Sequence, residues 1–108
     1  MSATIKEILA NKDDILVISI VSMWEITIKT MLGKLDAFKD VDEMVEIIER
    51  EKFEFLNINP NHIKVLETLP LIHRDPFDRM LIAQATAEQM NIISYDDNFL
   101  YYQIPIVR

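Results

Sequence analysis

The run Ile15–Val21 (ILVISIV) constrains this chain more than any other stretch. It is apolar and largely β-branched, with no polar alternation beyond Ser19. Such a run reads as a strand covered on both faces, which places it inside a sheet with helices on either side. The rest of the chain supplies those helices. Ser22–Leu32 reads as a helix, and Gly33 stands where a helix C-terminal glycine is expected. In Asp40–Glu51, Val41, Met44, Val45 and Ile48 share one face while Asp42, Glu43, Glu46, Glu49 and Arg50 point elsewhere. Phe53–Ile58 alternates like a strand. Asn59-Pro60 is an N-cap followed by proline at the first helical position, which predicts a helix to about Leu69. Asp75-Pro76 repeats that start signal. The helix it opens, Pro76–Met90, is apolar almost all round and reads as buried. Asn91–Ser94 reads as a short strand, Asp97–Tyr101 as at most a helical turn, and Pro105–Val107 as a terminal strand. Ahead of all these, Thr4–Ala10 reads as a short helix and Asn11–Asp14 as a polar turn. Strands alternating with helices predict an α/β domain with a mainly parallel sheet.

Composition narrows the class. A chain of 108 residues suits a single domain, 1–108, and half its residues are apolar. With one glycine it has neither a glycine-rich phosphate loop nor a dinucleotide-binding fingerprint. With no cysteine it has no disulfide and no thiolate metal site, which fits a reducing compartment. No stretch is apolar enough for a membrane span, and Met1–Ala10 does not read as a signal peptide, so the expected location is cytoplasmic. The net charge of −7 argues against broad electrostatic binding to nucleic acid, which relies on basic contacts to phosphate. Clustered carboxylates can still act on an acidic polymer if a divalent cation stands between them.

In an open parallel sheet the site lies beyond the carboxyl ends of the strands. Three acids fall there on this reading: Glu25 one turn into its helix, Asp78 one turn into the helix from Pro76, and Asp96 after the strand Asn91–Ser94. Carboxylates converging at one sheet edge suit Mg²⁺ or Mn²⁺, which prefer oxygen ligands. Each acid also has a plainer role. Ser22 and Glu25 have capping-box spacing, and Glu25 pairs with Lys29 at i,i+4. Asp75 reads as an N-cap with Asp78 at the favourable end of the helix dipole. Asp96 and Asp97 are turn formers. His73 has no second histidine at ligand spacing and reads as a surface or capping residue. Trp24 reads as core, and Met23, Met31, Met44, Met80 and Met90 as packing residues. Arg74 and Arg79 suit either phosphate or neighbouring carboxylates such as Asp75.

Three stretches of literal text go further. Ser19–Leu35 (SIVSMWEITIKTMLGKL) resembles a family stretch built on S-x-x-S-x-W-E-I-x-I-K and L-G-K-L. His73–Ala85 (HRDPFDRMLIAQA) is similar to H-R-D-P-F-D-R-x-L-I-A-Q-A of the same family, and Ile92–Phe99 (IISYDDNF) to its closing strand, acid and phenylalanine. The family is the PIN domain, with the VapC-type toxins as the best-fitting branch. The resemblance implies a three-layer α/β/α fold and a metal-dependent endoribonuclease, usually the toxin of a toxin–antitoxin pair. It puts Glu25, Asp78 and Asp96 on acidic site positions around Mg²⁺ or Mn²⁺, with Asp75 as a weaker additional ligand and Ser94 as a residue orienting them. RNA is the implied substrate.

The family also begins with a strand carrying an aspartate, in a stretch like L-L-D-T-H, and no such stretch opens this sequence. The expectation is a PIN-like domain with its first strand missing and one anionic ligand fewer. An unpaired sheet edge then favours a homo-oligomer. The competing expectation is a catalytically inactive module that self-associates or binds an antitoxin, with the amphipathic helix Asp40–Glu51 and the acidic surface as its features.

Overall fold

The computed structural model describes residues 16–71, 75–90, 92–93 and 106–107. The elements are β1 (Val17–Ser19), α1 (Ile20–Met31), α2 (Val41–Arg50), β2 (Glu54–Leu56), α3 (Pro60–Thr68), α4 (Pro76–Glu88), β3 (Ile92–Ile93) and β4 (Ile106–Val107). The expected helix Thr4–Ala10, the turn Asn11–Asp14 and the turn Asp97–Tyr101 lie outside the described residues. Both strand pairs are parallel: β1 with β2, in register Ile18 to Phe55, and β3 with β4, in register Ile92 to Ile106. Helices with parallel strand pairs make this an α/β fold, as the alternation predicts. The chain divides into two compact units, one of residues 15–57 and one of residues 1–14 with 58–108.

In the first unit the boundary between β1 and α1 differs from expectation. The helix starts at Ile20, and Ser19 is its N-cap, with Oγ accepting the Val21 N–H at 3.1 Å. Ser22 is therefore inside the helix, and the capping box of Ser22 with Glu25 does not form. The reason is local: a serine side chain can hold an orphan first-turn donor, which outweighs the extended preference of Ile20 and Val21. At the other end Gly33, at φ +72°, turns the chain, and the Lys34 N–H reaches the Lys29 carbonyl at 2.9 Å. Those bonds close the helix as the glycine foretold.

Helix α2 is N-capped by Asp40, whose carboxylate accepts the Glu43 N–H at 2.8 Å. Met44 and Ile48 are buried and pack with Met23 of α1. Ile18, Ile20, Ile26, Phe38, Val45 and Phe53 close around them. Val41, expected on the same face, is 46% exposed, because it sits in the first turn ahead of that cluster. The helix ends on Lys52 at φ +62°, and the Phe53 N–H bonds the Ile48 carbonyl at 3.1 Å. This closes α2 like the Gly33 turn, with lysine in the left-handed position and Phe53 packed back on the cluster. β2 covers only Glu54–Leu56, shorter than the predicted Phe53–Ile58, because its partner β1 offers only three residues to pair.

Two expectations about α1 fail. Trp24 is 55% exposed and Met31 80% exposed, so neither is core. Met23 and Ile26 take the face that meets α2, which turns Trp24 outward.

In the second unit Asn59 caps α3 as predicted, with Pro60 at the first helical position. Helix α4 follows its Asp75-Pro76 start signal. It buries four consecutive residues, Ile82, Ala83, Gln84 and Ala85, which point all round the helix, so its middle is covered as expected, while Phe77, Met80 and Leu81 are half-buried and Pro76, Thr86 and Glu88 are exposed. α3 and α4 are joined through His62, which is 0% exposed. The Asn59 N–H donates to His62 Nδ1 at 3.2 Å, and the His62 N–H donates to Asn59 Oδ1 at 3.2 Å. With Nδ1 accepting, the hydrogen on Nε2 points to Glu88 Oε1 of α4 at 2.9 Å. We read that contact as a hydrogen bond rather than an ion pair, because a ring that accepts at Nδ1 carries no second proton. The Gln84 amide also lies 3.4 Å from Nδ1.

Candidate active site

The second unit supplies a pair of carboxylates at one helix end. Asp75 is the N-cap of α4, with Oδ1 accepting the Phe77 N–H at 2.9 Å and the Asp78 N–H at 3.0 Å. Pro76 lacks an N–H to satisfy and presets the first helical turn. Asp78 follows one turn in, and a carboxylate oxygen of Asp75 and one of Asp78 lie within 4.8 Å of each other. Both residues are half-buried. The aligned N–H groups of the first turn stabilise this double negative charge.

Arg79, next along the helix, reaches backbone oxygens. Its guanidinium donates from Nη1 to the Pro70 carbonyl at 2.8 Å and from Nη2 to the Leu69 carbonyl at 3.4 Å. It thus ties the start of α4 to the end of α3, where backbone oxygens left over by the helix need donors.

The first unit supplies Glu25, the sixth residue of α1. Its side chain is 19% exposed, and its Oε2 lies 2.8 Å from Lys29 Nζ. This is the i,i+4 pair that the spacing predicts. Asp96, Ser94, His73 and Arg74 lie outside the described residues. Among the described candidates, then, Asp75 and Asp78 share one helix end, and Glu25 belongs to the other unit.

The donors at the start of α4 suit a hard dication. They are carboxylate oxygens held close together, which is what Mg²⁺ and Mn²⁺ favour. One oxygen of Asp75 is already occupied by two backbone N–H groups.

The family model described as PIN domain matches residues 1–104. The chain belongs to the PIN-domain family. No curated protein and no solved structure matches it. PIN domains are nuclease-type domains that generally use a divalent metal, and the acidic start of α4 in this PIN domain is compatible with that chemistry. Among the described residues no helix is long and apolar enough to cross a membrane.

Sequence reasoning overlooked His62. The signal was present as Asn59-x-x-His62, a cap residue followed by a side chain able to return the bond. Its two partners on α4 lie 22 and 26 residues away, beyond the reach of any local pattern.

Proposed function

We propose that this PIN domain is a Mg²⁺- or Mn²⁺-dependent endoribonuclease of the VapC type, the toxin of a toxin–antitoxin pair, acting in the cytoplasm. The observation that carries the reading is the PIN match over residues 1–104, together with the motif His73–Ala85 that holds Asp75 and Asp78. On this reading Glu25, Asp78 and Asp96 are the metal ligands, with Asp75 a weaker fourth. A bound dication would supply Lewis acidity toward a water and toward the scissile phosphate. The chain's own part is positional. The cap at Asp75 fixes the first turn of α4, so that Asp78 leaves the helix in a defined direction. The α4 N-terminus adds a positive dipole that tempers repulsion between adjacent carboxylates.

The test is cleavage of a panel of quenched-fluorophore RNAs by the 108-residue chain with Mg²⁺, Mn²⁺ or EDTA, beside Asp78→Asn. The expected result is metal-dependent cleavage that falls about a hundredfold or more in the variant, with an unchanged melting temperature. Retained cleavage in purified Asp78→Asn overturns the assignment.

A second reading is a catalytically inactive module that self-associates or binds an antitoxin. The exposed apolar side chains Trp24, Met31 and Leu32 on and after α1 favour it. A clean monomer by light scattering, with no partner captured from solution, argues against this second reading.

A further inference from the structure

Lys29 places a cation on a proposed ligand, its Nζ 2.8 Å from Glu25 Oε2. The two ends of this pair are placed differently. The Glu25 side chain is 19% exposed, and that of Lys29 is 50% exposed. A half-exposed lysine on a long flexible stem has more room to move than the more buried carboxylate. Their spacing on one helix face means that Lys29 reaches Glu25 whatever else the first unit does.

We propose that Lys29 is a positioning residue and built-in competitor for the metal: it holds the Glu25 carboxylate in the metal-free protein and has to yield it when a dication binds. The proposal rests on the reading of Glu25 as a ligand. It follows from charge alone that an ammonium beside a ligand opposes a dication drawn to the same oxygens. Lys29 therefore sets the affinity of the site rather than its existence. Holding the carboxylate until a dication of sufficient charge density arrives would leave the protein unloaded at low metal.

The experiment is Mn²⁺ binding to the full chain, followed by the electron paramagnetic resonance signal of the free ion. It compares the wild type, Lys29→Met, Lys29→Arg, Glu25→Gln and the double variant. The expected result is tighter Mn²⁺ binding in Lys29→Met by roughly threefold to tenfold, near-wild-type binding in Lys29→Arg, and weaker binding in Glu25→Gln. The gain from Lys29→Met should vanish in the Glu25→Gln background. A merely structural ion pair would shift the melting temperature and leave affinity unchanged. Unchanged or weaker binding in Lys29→Met, with Glu25→Gln impaired, overturns the role of Lys29 and leaves Glu25 standing. A gain that persists in the double variant also overturns it, since the effect would then bypass Glu25. Wild-type affinity in Glu25→Gln, or no Mn²⁺ binding by any chain, overturns the ligand reading of Glu25 and this proposal with it.

Discussion

The two units hold their helices by opposite means. In the unit of residues 15–57, α1 and α2 meet through an apolar cluster centred on Met23, Met44 and Ile48. In the other, α3 and α4 meet around a fully buried histidine bonded to Asn59 and Glu88, with Gln84 beside it. Apolar packing is non-directional and tolerates changes of shape. A polar network around a buried histidine is directional, and losing the ring breaks several hydrogen bonds at once. One unit should therefore be plastic and the other exacting.

The largest expected effect breaks that contrast if it fails. His62→Leu should destabilise by about 2 kcal/mol, because the Asn59 N–H, the Glu88 carboxylate and the buried Gln84 amide lose their shared partner while the volume stays filled. Met44→Leu, an equally volume-conserving change in the apolar unit, should cost less than about 1.5 kcal/mol. Urea denaturation of both variants measures the difference. Equal costs would mean that the histidine network contributes nothing beyond its volume.

Next in size is the cap of α4. Asp75→Ala should cost about 1–2 kcal/mol in metal-free buffer, because two first-turn N–H groups lose their acceptor. Asp78→Ala, which removes no cap, should cost less by the same thermal measurement. The smallest effects sharpen the comparison between helix ends. Gly33 and Lys52 both adopt positive φ, at +72° and +62°. Gly33→Ala should cost about 1 kcal/mol through backbone strain alone, since a Cβ there meets nothing within 4 Å. Lys52→Gly should instead stabilise by about 0.5 kcal/mol, by relieving that strain at the end of α2. Calorimetry on the pair reads both signs.

Those two positions also show how far the sequence could be read. Gly33 announced its helix end because glycine is the usual left-handed residue. The ends of α2 and α4 are made by Lys52 and Gln89, at φ +62° and +56°, and nothing in their identity announces them. Starts were more legible than ends. Asn59 and Asp75 cap the helices they were expected to cap, because a short polar side chain beside a proline is a local signal, and Asp40, read as the first residue of its helix, proves to be its cap. The exception is Ser19, hidden inside an apolar run that reads as pure strand. Trp24 misled for a related reason: α1 carries apolar residues around much of its surface, so periodicity could not say which of them would meet α2.

Of the candidate site, the sequence by itself determined the residue types and their local setting. Asp75 caps, Asp78 follows one turn later, and Glu25 pairs with Lys29, all within four residues of chain. Interactions that short are set by helix geometry and survive any tertiary arrangement. Only the tertiary structure decided that His62 is the joint between α3 and α4, that Arg79 serves backbone carbonyls, and that Trp24 faces outward. Each of these depends on which face of one helix meets another. That choice is made by the summed burial of many distant side chains and leaves no mark in local spacing.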